Sequence, residues 1–249
     1  MFLRINGDAI QSGTVLVSFV FLRVFIVSRL LFDPQCIPVD SVAGEQSVLG
    51  ARLNGVWLRQ RFATPEDWTQ ESNDERPDLS PTRVPIPASV LLPIVERSHG
   101  LTMLLTQRSP NLNSHPGQIA FPGGRADAGD NSAVDTALRE TEEEIGLARR
   151  HIDVIGTLPD YITITGYQIT PVVALIRPPF ELRAEPGEVE EIFEVPLAFL
   201  MDGMHHQRRA LELPNGAGHR TFYAMPYERF FIWGATAGIL RNLFHFLRA

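Results

Sequence analysis

Four glutamates crowd the run Arg139-Glu140-Thr141-Glu142-Glu143-Glu144-Ile145-Gly146-Leu147, and their spacing is the strongest chemical signal in the chain. Read as a helix, it sets Glu140, Glu143 and Glu144 at i, i+3 and i+4 on one side, with Ala133, Ala137, Leu138 and Ile145 on the other. The helix should start at Asn131 or Ser132, whose side-chain oxygens can cap free amides, carry Asp135 in its first turn and stop at Gly146. As helix design this is unfavourable. Glu140 and Glu144 repel by about 0.2–0.5 kcal/mol, and anions near the negative end of the dipole lose roughly 0.3–1 kcal/mol each. Either the face is a solvated acidic surface, or its carboxylates share a hard divalent cation. Mg²⁺ or Mn²⁺ would suit, because both take oxygen ligands and keep positions open for water and phosphate. A run that breaks local rules without a structural return points to a functional site.

Other residues could complete such a site, each with a plainer alternative. Gly123-Gly124 lets backbone pass close to metal or phosphate, or makes a hairpin turn. The acidic stretch Glu185, Glu188, Glu190, Glu191 offers a general base, or is a charged solvent-facing loop. His115, beside Gly117, could touch substrate or cap a loop. Tyr161, Tyr167 and Trp233 could stack on a base or fill the core.

The run from Arg139 to Leu147 resembles the second half of the Nudix box, G-x5-E-x7-R-E-U-x-E-E-x-G-U, where U is bulky and apolar; Thr141 stands at the first U. Counting back from Arg139 puts Asn131 where the box has Glu, whereas one extra residue aligns Gly124 with the leading Gly and Asp130 with the Glu. That insertion resembles the coenzyme A pyrophosphatase branch, which reads GG-x-x-D-x-x-D before T/A-A-L-R-E. Here Gly123, Gly124, Asp127, Asp130, Thr136, Ala137, Leu138, Arg139 and Glu140 match it. Leu104-Leu105-Thr106-Gln107-Arg108-Ser109, Gly117 and Phe121-Pro122-Gly123-Gly124 are similar to the branch's upstream pattern, with Asn113 in place of an Arg. Gly166–Val173 and Trp233–Gly238 are similar to further segments, so the resemblance covers roughly residues 83 to 247.

The resemblance implies a Nudix-type α/β/α sandwich with a mixed β-sheet between helices. It implies metal-dependent hydrolysis of a phosphoanhydride in a nucleoside diphosphate derivative, with coenzyme A or an acyl-CoA first. ADP-ribose, NADH, another nucleotide, or a non-catalytic nucleotide-sensing module are the alternatives. Glu140, Glu144 and Glu143 are the expected ligands for Mg²⁺ or Mn²⁺. Glu143, Arg139 and Glu188 carry the expected catalytic roles, Arg139 by pairing with and fixing a carboxylate, and Arg108, Gly123, Gly124, His115 and Tyr167 the substrate.

Composition sets limits. With 249 residues, 44% hydrophobic and 20% charged, the chain has room for one good-sized core. A net charge of −7 argues against a nucleic-acid surface. Every Lys/Arg position is Arg, which removes lysine nucleophiles, and the single Cys36 removes an intramolecular disulfide or a cysteine-rich zinc site. The resemblance, not the composition, implies a small nucleotide as partner, and the expected setting is the cytoplasm, compatible with a homodimer.

Val15–Phe32 is the most apolar stretch, and it holds Arg23 and Arg29. At about 2.5–3.5 kcal/mol per buried Arg this argues against a membrane span without closing that reading; a packed helix or an over-long gene start are alternatives. Residues 1–47 are read as an extension, 48–82 as a short helix (Ser47 to Phe62) and a mobile polar linker, and 83–249 as the main domain. Within the last, strands are expected at Ala88–Val95, Leu101–Thr106, Ile119–Phe121, Ile152–Leu158 and Ile169–Ile176. Leu197–Met201 should be a short helix, Arg209–Leu213 and Thr221–Ala224 should flank a Pro-Asn-Gly turn, and Gly234–Phe246 should be an amphipathic helix.

Overall fold

A computed structural model describes residues 33–71, 84–212 and 219–249. Val15–Phe32, the second part of the expected linker and the Pro214-Asn215-Gly216 turn lie outside them.

The described elements run β1 (Val39–Val42), α1 (Gly55–Ala63), β2 (Ile86–Arg97), β3 (Gly100–Arg108), β4 (Ile119–Ala120), β5 (Gly123–Arg125) and α2 (Ala133–Ile145). They continue through β6 (Ile152–Thr157), β7 (Tyr161–Ile162), β8 (Tyr167–Ile176), β9 (Val189–Pro196), α3 (Leu197–Leu200), β10 (Gln207–Glu212), β11 (His219–Tyr227), β12 (Phe230–Trp233) and α4 (Ala235–Arg248). The larger sheet is mixed. Its order is β4-β3-β2-β8-β6, with β5 on β2, β7 on β8 and β9 on β3. β2 and β8 run parallel from Ile86↔Tyr167 to Val95↔Ile176, and the remaining pairs are antiparallel.

Alternation along β2 and β8 divides the core in two. Leu91, Val95, Val172, Ala174 and Ile176 pack with Ala137 and Ile145 of α2, whereas Leu92, Ile94, Val173 and Leu175 pack with Leu240, Leu243 and Phe244 of α4. Helices on both faces of a mixed sheet make an α/β fold, as expected. A second, antiparallel sheet runs β1-β10-β11-β12; its β10–β11 pair falls on the two segments expected at Arg209–Leu213 and Thr221–Ala224, whereas its edge strands were not legible in the sequence. Its first strand is supplied by Val39–Val42, an exposed segment with no alternation to announce it.

Of the stretch expected as lone helix and linker, the described part through residue 71 packs on the main domain, in one compact unit with it. The helix expected from Ser47 breaks, because Asn54 caps a new start by accepting from Trp57 N at 2.9 Å, and a 3-10 turn covers Gly50–Arg52. Arg52 donates to the carbonyls of Leu247, Arg248 and Ala249, and Arg61 to Phe246 O, so this segment satisfies the last carbonyls of α4. Trp68 packs edge-on against Phe246.

A buried polar cluster completes the seam. Arg241 of α4, 3% exposed, donates to both oxygens of Glu45 and to Glu71 at 2.6 Å. Tyr223 and His245 also meet Glu71, and the Nδ1 of wholly buried His206 lies 3.1 Å from Arg241 while its Nε2 lies 2.8 Å from Leu200 O. Burial opposes the Glu71 charge, yet the hydrogen bonds from His245, Arg241 and Tyr223 outweigh it and hold its pKa at about 2.

Candidate active site

Local chemistry fixes α2 at both ends. Ser132 Oγ accepts from Asp135 N at 3.1 Å, and Gly146 closes the helix in the left-handed conformation, φ 68°. The acidic C-terminal turn finds its compensation in backbone amides: Arg183 N donates to Ile145 O and Glu185 N to Glu144 O, each at 2.9 Å. These bonds tie the segment before β9 to the helix end. Ser109 N donates to Glu188 O at 2.8 Å, which sets Glu188 beside the end of β3.

Arg139 is the hub. Its Nε and Nη2 fork onto Asp130 at 2.9 Å each, Nη1 donates to Glu140 at 2.9 Å and Glu143 at 3.1 Å, and Nη2 also reaches Arg125 O at 3.2 Å. Asp130 accepts further from Thr136 Oγ1 at 2.8 Å and Asp127 N at 2.9 Å. The Arg139 bonds and the Asp127 amide hold its carboxyl well below the usual range. Asn131, by contrast, is exposed.

Glu140 and Glu144 face a different environment. Burial raises the Glu140 pKa despite Arg139. Glu144 is 4% exposed, accepts from Gly123 N at 3.1 Å and has Arg108 Nη1 at 3.9 Å. Burial pushes its carboxyl up to about 7 against those two contacts, with the charges of Glu188 and Glu140 adding to the rise. Glu144 therefore lies on the buried side of the helix with Thr141 and Ile145, away from Glu143, whose side chain is 60% exposed. Glu142 is exposed, 3.8 Å from Arg149.

The two glycines answer to protein neighbours. Gly123 has φ 150°, and a Cβ there would stand 2.4 Å from Ser89 O and 2.6 Å from Val90 Cα. A Cβ on Gly124 would stand 2.5 Å from Glu140 Oε2. Both residues are strand, paired to Ser89 and Val90 of β2, so the hairpin-turn alternative fails.

His115 sits on an exposed loop at φ 55°, with Nδ1 3.0 Å from Gln118 Oε1. Tyr161 is core, with its ring against Gly238 of α4. Trp233 meets Phe222 edge-on. Tyr167 is half-buried at the start of β8, under the guanidinium of Arg125 at 5.5 Å. Glu190 and Glu191 belong to β9, not to a loop; Glu191 pairs with Arg229. Sequence reasoning passed over Arg125, whose only signal is its place after the glycine pair.

Among the described residues, no three His, Cys, Asp or Glu side chains converge as a ready-made metal set. Glu140 and Glu143 both lean on Arg139, and Glu144 on Gly123. The donor chemistry nevertheless fits a hard divalent cation. It is all oxygen, and Glu140 and Glu144 are carboxylates whose charge is opposed by burial and by Glu188, that of Glu144 also by Glu140 and that of Glu140 also by Glu143, so a cation held there would relieve these penalties.

Comparison with known proteins gives a match to the NUDIX domain model over residues 85–214. A protein of Escherichia coli (strain K12), "Uncharacterized Nudix hydrolase NudL", is 46% identical over 157 residues, 63% of this chain and 80% of its own. The protein of the same description from Shigella flexneri serotype 5b (strain 8401) is 42% identical over 190 residues, 75% of this chain and 96% of its own. Among solved structures, the Nudix hydrolase RenU from M. Smegmatis aligns with a TM-score of 0.40 and 25% identity, over 45% of this chain and 71% of that one.

Proposed function

The chain belongs to the Nudix hydrolase family, and on that premise we propose that it hydrolyses the pyrophosphate bond of coenzyme A or a related acyl-CoA. The observation that carries the reading is the pairing of Glu144, buried on Gly123 N, with Glu140, lodged against Gly124. Glu140 and Glu144 are the proposed ligands of Mg²⁺ or Mn²⁺, with Glu143 next. A bound cation of this kind clamps diphosphate oxygens and lowers the pKa of an attacking water.

The chain's own residues do the rest. Arg139, fixed on Asp130, holds Glu140 and Glu143 in one rotamer each. Glu188, exposed and within charge range of Glu140 and Glu144, takes the proton from water; Glu143 is the alternative base. Arg108 places a cation where negative charge gathers on phosphate oxygens. His115, on its exposed loop, contacts the more distant part of the substrate.

Coenzyme A is favoured by the run Leu104–Ser109 followed by Phe121–Gly124 and by the spacing of Asp127 and Asp130. Asn113, where that pattern has Arg, favours another nucleoside diphosphate such as ADP-ribose or NADH. Intact Glu140, Glu143 and Glu144 weigh against a module that only senses nucleotides. The reading places the enzyme in the cytoplasm; no described helix is long and apolar enough to cross a membrane.

The deciding experiment incubates the protein and Mg²⁺ or Mn²⁺ with a panel of nucleoside diphosphate derivatives and identifies products by mass. Release of 4′-phosphopantetheine and 3′,5′-ADP is expected. Cleavage of ADP-ribose or a dinucleotide alone would replace the coenzyme A reading.

A further inference from the structure

Gly124 and Arg125 are consecutive residues of β5, so they address opposite faces of the sheet. The Gly124 face is occupied by Glu140, on the α2 side. Arg125 pairs with Ala88 in register, and alternation along β2 puts Ala88 on the other face, the one that carries Val90, Leu92 and Ile94. Tyr167 reaches that same face through Ile86↔Tyr167 and Ala88↔Ile169, which agrees with Arg125 standing over its ring at 5.5 Å.

Arg125 is exposed, and its backbone is pinned from the catalytic side, since its carbonyl accepts from Arg139 Nη2. Arg125 Cζ stands over the Tyr167 ring while the residue itself is exposed, and the register places Ile86, Ala88 and Ile169 on the same face beside it. A guanidinium backed in this way is a flat, pre-organised surface for a planar heteroaromatic ring.

We propose that Arg125, stacked on Tyr167, is the base-binding platform of the substrate. The nucleobase would lie on the face of the sheet opposite the carboxylates, and the diphosphate would cross the Gly123-Gly124 strand to reach them. This rests on the nucleoside diphosphate reading and deepens it. Because stacking uses the π-face that every base presents, the platform recognises that a base is present more than which base it is.

The test is binding, so that it stands apart from turnover. Full-length protein in Mg²⁺ is titrated calorimetrically with ADP and with its abasic analogue, ribose 5-diphosphate. Arg125→Ala should weaken ADP about 10-fold or more and leave the abasic ligand within about 2-fold. Arg125→Lys should fall nearly as far, because an ammonium keeps the charge without the plane. Tyr167→Leu should weaken ADP as well, and Tyr167→Phe should not. Equal weakening of both ligands by Arg125→Ala would make Arg125 a phosphate contact and overturn the platform, as would unchanged ADP binding or wild-type protein that binds both ligands equally. Absence of turnover with intact base discrimination would instead overturn the hydrolase reading and leave the platform standing.

Discussion

The carboxylate of Glu140 fills the space that a side chain at Gly124 would need, with 2.5 Å between its Oε2 and the position of a Cβ. Gly124→Ala should therefore displace Glu140 without disturbing the core. Turnover is expected to fall by about 10-fold or more, with a stability change of about 1 kcal/mol or less, since Gly124 φ is not in the left-handed region and the group displaced is a side-chain tip. Steady-state kinetics with thermal unfolding checks it; unchanged kcat would break the link between the two residues.

Glu144 is held at a disadvantage to folding. Its pKa lies at about 7 because burial opposes ionisation, so near neutral pH and above the charged form costs stability. Glu144→Gln should largely abolish turnover and, in chelator, raise unfolding stability by about 1 kcal/mol or more. Wild-type turnover in the variant would sink its role as a ligand; lowered stability would contradict the burial argument.

Arg139 joins three carboxylates through a planar fork that lysine cannot reproduce. Arg139→Lys should cost about 10-fold or more in kcat with little change in KM, because its guanidinium is engaged by the carboxylates it positions. Asp130→Asn should act in the same direction through the loss of the paired charge. A rise in KM alone, measured in initial-rate series, would assign Arg139 to substrate binding instead.

His206 makes stability sensitive to acid. Burial pulls its pKa from 6.5 down to about 4, and the nearby Arg241 charge acts in the same direction. The folded value lies below the unfolded one, so protons favour the unfolded chain. The stabilisation is complete above about pH 6.5 and is lost as pH falls toward 4. Glu144, with its raised pKa, changes stability in the opposite sense over the same range, so the loss of about 2 kcal/mol between pH 7 and pH 5 is read by urea unfolding in the Glu144→Gln background, where His206→Gln should flatten the slope. Below it, Glu71, lowered from 4.5 to about 2, continues the same trend.

Much of the site was legible because it lies on one helix. Cap, first turn, stop and the i, i+3, i+4 face follow from short-range rules, and α2 runs from Ala133 to Ile145 as those rules require. The burial of Glu144 was not legible, since it depends on β5 and β3 arriving from elsewhere in the chain. The reason for Gly124 was hidden likewise: the residue that fills its space is sixteen positions away and on another element. The parallel β2–β8 core announced itself as apolar runs, whereas β1 and β9 did not. Val39-Asp40-Ser41-Val42 is short and exposed, and Val189–Pro196 is disguised by glutamates, of which Glu194 pairs with Arg97 of β2 and Glu191 with Arg229 of the β11–β12 turn.

Arg52 and Arg61 close the last turn of α4 from a segment that precedes the Nudix match by more than twenty residues. Residues 33–71 and α4 must therefore melt together, as one cooperative unit, although both fall outside residues 85–214. Amide exchange should protect α1 and the end of α4 to the same depth. A fragment trimmed to the family match would lose the helix that covers one whole face of the central sheet.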